Sequence, residues 1–168
     1  MGTARARIAV QSSQLIMLPL RDDIQDLHLQ RLEAEGADVI GHYVHRLDGT
    51  NHPHYLHHAE NREFHRFWKR MTCRDDPTVI LNMFGTGSFW TRTAFDAVAE
   101  REEPFPIYLE LYLPTLAHHL GFRVRGMPDQ SRYVTILSDM ESEIELARVA
   151  GAWGVHPVKY FWRANRSK

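Results

Sequence analysis

Glu110 stands in an aromatic and aliphatic stretch, Tyr108-Leu-Glu-Leu-Tyr-Leu113, where a carboxylate is either a rim group or buried for a purpose. Such a carboxylate can take a proton from a hydroxyl once its oxygen reaches the reacting group. Two more acids, Asp22 and Asp23, follow the apolar run Leu15-Ile-Met-Leu18 and Leu20. Open α/β sheets place ligands at the carboxyl ends of their strands. Adjacent carboxylates there can hold a hard divalent cation, and through it a diphosphate. The same pair can instead cap the following helix, as can be said of Asp75-Asp76 before Pro77 in a turn. His156, fixed before Pro157 between Val155 and Val158, reads as a metal ligand or phosphate contact, or equally as a core histidine; Lys159 adds charge beside it. Gly85-Thr86-Gly87-Ser88 is a run of small residues where backbone can pass close to a ligand, with Trp90 just beyond.

The chain holds eleven histidines. His52, His54, His57, His58 and His65 share one segment, and His54 and His58 are spaced to share a zinc ion from one helix face. No glutamate completes an H-E-x-x-H pattern, and the adjacent His57 and His58 must point apart, so a polar surface segment is the stronger expectation. Of His118 and His119, one is expected to pack and one to face outward. Cys73 is the single cysteine, which excludes an internal disulfide and a thiolate metal cluster.

Local signals say which elements must position these groups. A helix is expected from about Trp90 to Val98, with Thr91 or Thr93 near its cap and Phe95 and Val98 on its apolar face. The break Glu103-Pro-Phe-Pro106 ends it. A second helix runs from about Ile107 to Leu120 and closes at Gly121, and Pro114 should kink or split it. Strands are expected at 8–11, 14–20, 38–44, 78–84, 121–125 and 133–137. Further helices follow Asp23, stopping at Gly36, begin at Tyr55, and follow Ser138 or Asp139, stopping at Gly151. The alternation predicts an α/β fold.

At 168 residues, one domain over 1–168 is expected, with 1–6 and 163–168 as disordered tails. A hydrophobic share of 43% and a charged share of 24% are ordinary for a globular chain, and a formal net charge of -1 argues against nucleic acid as a partner. No apolar run is long enough for a signal-peptide core or a membrane span, so a cytoplasmic protein, in one version peripheral to a membrane, is expected.

Taken in order, LIMLPLRDDI, ADVIGHYV, FHRFWKRM, NMFGTGSFWTRTAFDAV, YLELYLPTLAHHLGFRV and GAWGVHPVK resemble the later part of a GT-A-fold glycosyltransferase-like domain. The resemblance implies a three-layer-like mixed sheet flanked by helices. It implies transfer of a sugar from a nucleotide-sugar donor to a glycan or other hydroxyl acceptor, as in polysaccharide or surface-glycan synthesis. Asp22, Asp23 and His156 would then hold Mn²⁺ or Mg²⁺. Gly85, Thr86, Gly87, Ser88, Trp90 and Lys159 would line the donor or acceptor pocket, and Glu110 would be the base or an acceptor contact. Here the acids are adjacent, where such enzymes usually show Asp-x-Asp. Only about twenty residues precede them, short of the roughly thirty of a βαβ unit. A truncated or inactive relative, or a partner chain supplying the front half, is the corresponding expectation. Two other readings stand beside this one: a histidine-rich metal-binding protein or metal-dependent hydrolase, and a non-catalytic remnant that pairs through exposed Trp90, Trp153 and Trp162.

Overall fold

The computed structural model describes residues 18–47, 53–60, 62, 65–66, 76, 78–84, 87–101, 108–135 and 141–156. The expected strand at 8–11, Cys73, the break at 103–106, Trp162 and both tails lie outside the described residues. In chain order the elements are β1 (Leu18–Pro19), α1 (Ile24–Ala34), β2 (Val39–Gly41), β3 (His45–Arg46), α2 (Pro53–Ala59), β4 (Leu81–Asn82), β5 (Phe89–Trp90), α3 (Arg92–Ala99), α4 (Leu109–His119), β6 (Val124–Gly126), β7 (Tyr133–Thr135), α5 (Glu141–Val149) and β8 (Gly154–His156). A short 3-10 turn, Gln130–Arg132, leads into β7.

The protein is mixed α/β. In place of one three-layer sheet, the described strands form two three-stranded mixed sheets and a two-stranded ribbon. The chain divides into two compact units, residues 1–8 with 31–127, and residues 9–30 with 128–168.

In the first unit β2 is central, parallel to β6 and antiparallel to β5. Val39 and Val124 on this sheet join Leu81, Met83, Leu111, Leu116, Ala117, Ala94 and Val98 in one buried cluster. β3 and β4 form the separate ribbon, His45 opposite Asn82. Trp90, expected to open a helix, belongs to β5 instead, opposite Val39. The helix proper begins after Thr91, whose hydroxyl accepts from Ala94 N–H at 3.3 Å. α3 buries Ala94 and Val98, while Phe95 is turned outward.

Pro114 does not split α4, which is continuous from Leu109 to His119. Proline lacks the N–H that would reach the Glu110 carbonyl one turn back. That carbonyl accepts instead from Met83 N–H at 2.9 Å. Two further bonds follow the same line: the Thr115 hydroxyl accepts from Leu81 N–H at 2.9 Å and donates to Leu81 C=O at 3.0 Å. His119 Nε2 donates to Val79 C=O at 2.9 Å. Ile80 accepts from Leu47 across the ribbon, so Val79, Leu81 and Met83 turn their backbone groups away from β3. α4 covers this open strand edge in place of another strand.

Gly36, Gly121 and Gly151 adopt left-handed φ of 52°, 101° and 77° and end α1, α4 and α5. At each, the next residue's N–H reaches back five positions (Ala37 to Leu32, Phe122 to Ala117, Ala152 to Ala147), the paired-bond cap that glycine permits.

In the second unit β8 lies between β1, antiparallel, and β7, parallel. Ile144 and Ala147 of α5 pack with Ala152 and Val155, joined by Leu18, Leu20 and Val134. Among the described residues no helix is long and apolar enough to cross a membrane.

Candidate functional site

The parallel pair β2 and β6 ends at Gly41 and Gly126, where the Met127 N–H donates to the Gly41 carbonyl at 2.9 Å. Gly41 is required by its neighbours. A Cβ there would collide with the Met83 side chain and reach ordinary contact with Ser88 Cβ at 3.5 Å. Ser88 in turn accepts from Trp90 Nε1 at 3.0 Å, and Gly87 before it takes φ 78°. Met83 also donates its N–H to Glu110. Glu110, half-buried in the first turn of α4, is thus joined to Met83 through its backbone carbonyl, and the Met83 and Ser88 side chains both stand close to Gly41 at the carboxyl end of β2. Gly85 and Thr86 lie outside the described residues.

The other expected residues fall in the second unit. Asp22 and Asp23 are exposed in the turn after β1. Asp23 accepts from Arg21 Nε and Nη2, each at 2.7 Å, and this guanidinium holds its carboxyl below the ordinary value. His156 is half-buried at the far end of β8, opposite Thr135. The antiparallel register sets Leu18 against Val155, so His156 lies beside the start of β1 and the two acids follow its end. These three donors therefore do not converge into one coordination sphere. Among the described residues no group of three His, Cys, Asp or Glu could hold a metal ion. Lys159 lies outside the described residues.

No protein-family model, curated protein or solved structure matches the chain. The site therefore rests on its own geometry.

Within the histidine-rich segment, His57 is exposed on α2 with its ring 5.2 Å from that of Tyr108, and His65 is exposed. His52 and the side chains of His54 and His58 lie outside the described residues. His119 packs and His118 is the less buried of the two, with the rings edge to face.

A second cluster had no motif to announce it. His28, inside α1, is 1% exposed. Its Nδ1 meets the Ile24 carbonyl and its Nε2 the Tyr133 hydroxyl. Since a carbonyl only accepts, Nδ1 carries the proton and Nε2 accepts from the hydroxyl. Trp153 lies edge-on to both rings, at 6.3 Å and 6.2 Å. Burial lowers the His28 pKa and raises that of Tyr133. Trp153, expected as an exposed pairing residue, is instead 9% exposed and packed in this cluster. Trp90 is half-buried against Ser88. The signal available was the i, i+4 spacing of Ile24 and His28 on a helix, which is too common to select a residue.

Proposed function

We propose that the protein is a glycosyltransferase-like enzyme that moves a sugar from a nucleotide-sugar donor to a hydroxyl acceptor. The observation that carries this reading is that Met83, bonded to the Glu110 carbonyl, and Ser88 both stand close to Gly41 at the carboxyl end of β2. Strand ends of this kind are where α/β folds bind ligands, and the small residues leave room for a substrate against the backbone.

In an inverting transfer the Glu110 carboxylate accepts the proton of the acceptor hydroxyl. The acceptor oxygen bonds to the anomeric carbon, and the bond from that carbon to the donor phosphate oxygen breaks, releasing a nucleoside diphosphate. Glu110 supplies the base, the turn positions the sugar, and Trp90 steadies Ser88. Asp22, Asp23 and His156 do not fit a shared divalent cation, so no step is routed through one.

Thermal unfolding with a panel of nucleotide sugars, with and without Mn²⁺, tests the donor site. Binding at about a hundred times Kd adds roughly 2.7 kcal/mol to native-state stability. Glu110→Gln should keep the donor-induced shift and lose roughly a hundredfold or more in transfer. Transfer unaffected by that substitution removes the base role, and no shift with any donor removes the transferase reading.

A further inference from the structure

Pairing in the β3–β4 ribbon breaks at one point. The register that sets His45 opposite Asn82 and Arg46 opposite Leu81 extends to Leu47, whose N–H donates to Ile80 C=O at 2.8 Å. Continued the other way, it would set Tyr43 opposite Phe84. The Phe84 N–H donates to the His42 carbonyl instead, at 2.8 Å. Two residues, His42 and Tyr43, thus face one, which is the count of a β-bulge. Tyr43 takes φ 50°, a left-handed conformation unfavourable for a bulky side chain, and among the described residues it is the one non-glycine to do so. His45 Nδ1 donates to the Tyr43 carbonyl at 2.7 Å and holds the bulge in place.

The bulge turns the Tyr43 ring out to 57% exposure, edge-on to the exposed Phe84 ring at 6.2 Å and 80°. Side chains alternate along a strand, so Asn82 shares the face of Phe84. Asn82 is 5% exposed, and its Oδ1 has no hydrogen-bond partner among the described residues. Ile80 and Leu47 are buried further along the same face. A carboxamide oxygen is therefore held beside apolar side chains, next to an aromatic corner open to solvent. For stability alone, leucine would serve at position 82 and glycine at position 43. Both actual residues suit a ligand that donates a hydrogen bond and presents C–H groups to two rings at right angles. A saturated ring bearing hydroxyls has both features.

We propose that Tyr43, Asn82 and Phe84 form a subsite for an uncharged sugar ring. Its role as the acceptor subsite rests on the transferase function proposed above, whereas sugar binding at this face is measured without a donor. The experiment is saturation-transfer NMR with methyl glycosides of glucose, galactose, mannose and N-acetylglucosamine, and with uridine and adenosine as flat-ring controls. It is run on the wild type, Tyr43→Gly and Asn82→Leu. Both variants should melt at or above the wild-type temperature, because one relieves the left-handed backbone and the other removes an unsatisfied oxygen. Each should bind the preferred glycoside at least ~tenfold more weakly. If either variant fails to fold, the other carries the test. The proposal is overturned if no glycoside binds the wild type, if the folded variants bind as well as wild type, or if the nucleosides alone bind and lose affinity in the variants. Glycoside binding without any nucleotide-sugar shift supports the subsite and removes the transferase. A donor shift without glycoside binding does the reverse.

Discussion

His28 contributes to stability as a neutral ring, because its burial disfavours the imidazolium more than the Ile24 carbonyl and the Asp129 charge favour it. The unfolded chain therefore binds a proton near pH 6.5 that the folded chain resists. Stability from this group is fully present above about pH 6.5 and is lost as the pH falls below it. Urea midpoints should drop between pH 7.5 and 5.5, and His28→Leu should shrink the drop. Tyr133→Phe takes the hydroxyl from Nε2 and should cost about 1–3 kcal/mol at pH 7.5, read by the same denaturation. Asp76 has the opposite chemistry and the same sign. The Thr78 hydroxyl and N–H, with Arg46 behind them, hold its carboxyl down to about 2. Its contribution is present above the ordinary carboxylate range and fades as the pH falls through about 2. Asp76→Asn should therefore be less stable than the wild type at pH 7, with the difference vanishing in strong acid.

At the scale of elements, α4 answers for β4. An interior proline normally costs a helix about 3 kcal/mol, so Pro114→Ala should stabilise by that much in an ordinary helix. Here the Glu110 carbonyl already has Met83, so the gain should stay under about 1 kcal/mol. Thr115→Val strips both Leu81 backbone groups of their partner and should cost about 2 kcal/mol or more. Gly41→Ala would displace the Met83 side chain, costing about 1–3 kcal/mol and weakening donor binding, read from the same thermal shifts. What was legible in the sequence was what residues dictate locally. Gly36, Gly121 and Gly151 end their helices, and Thr91 caps α3, because these need only a few neighbouring residues. That α4 runs unbroken through Pro114 was not legible, because the compensation comes from a strand 31 positions earlier (114 minus 83). The bulge at Tyr43 was hidden for the same reason, since it exists only in the pairing with Phe84. Trp153 gave no sign of the imidazole and phenol beside it, which lie on other elements.

For the whole molecule, each unit has its own buried cluster, one around Leu111 and Met83 and one around Ile144 and Val155. Leu111→Ala should cost about 2–5 kcal/mol. Amide hydrogen exchange should then quicken in β2, β4 and β6 more than in β7 and β8, and Ile144→Ala should show the converse. Equal acceleration everywhere would mean that the clusters unfold as one.

The pairing of β1 with β8 also sets a clock during synthesis. Leu18 meets Val155, a separation of 137 residues (155 minus 18). At about 5–20 residues per second, β1 leaves the ribosome and waits roughly 7–27 seconds for its partner. Val39 waits for Val124 over 85 residues (124 minus 39). Neither sheet can close on the nascent chain until most of it has been made. In that interval the Leu18-Pro-Leu20 segment is an apolar strand without its partner, the kind of surface a holding chaperone covers.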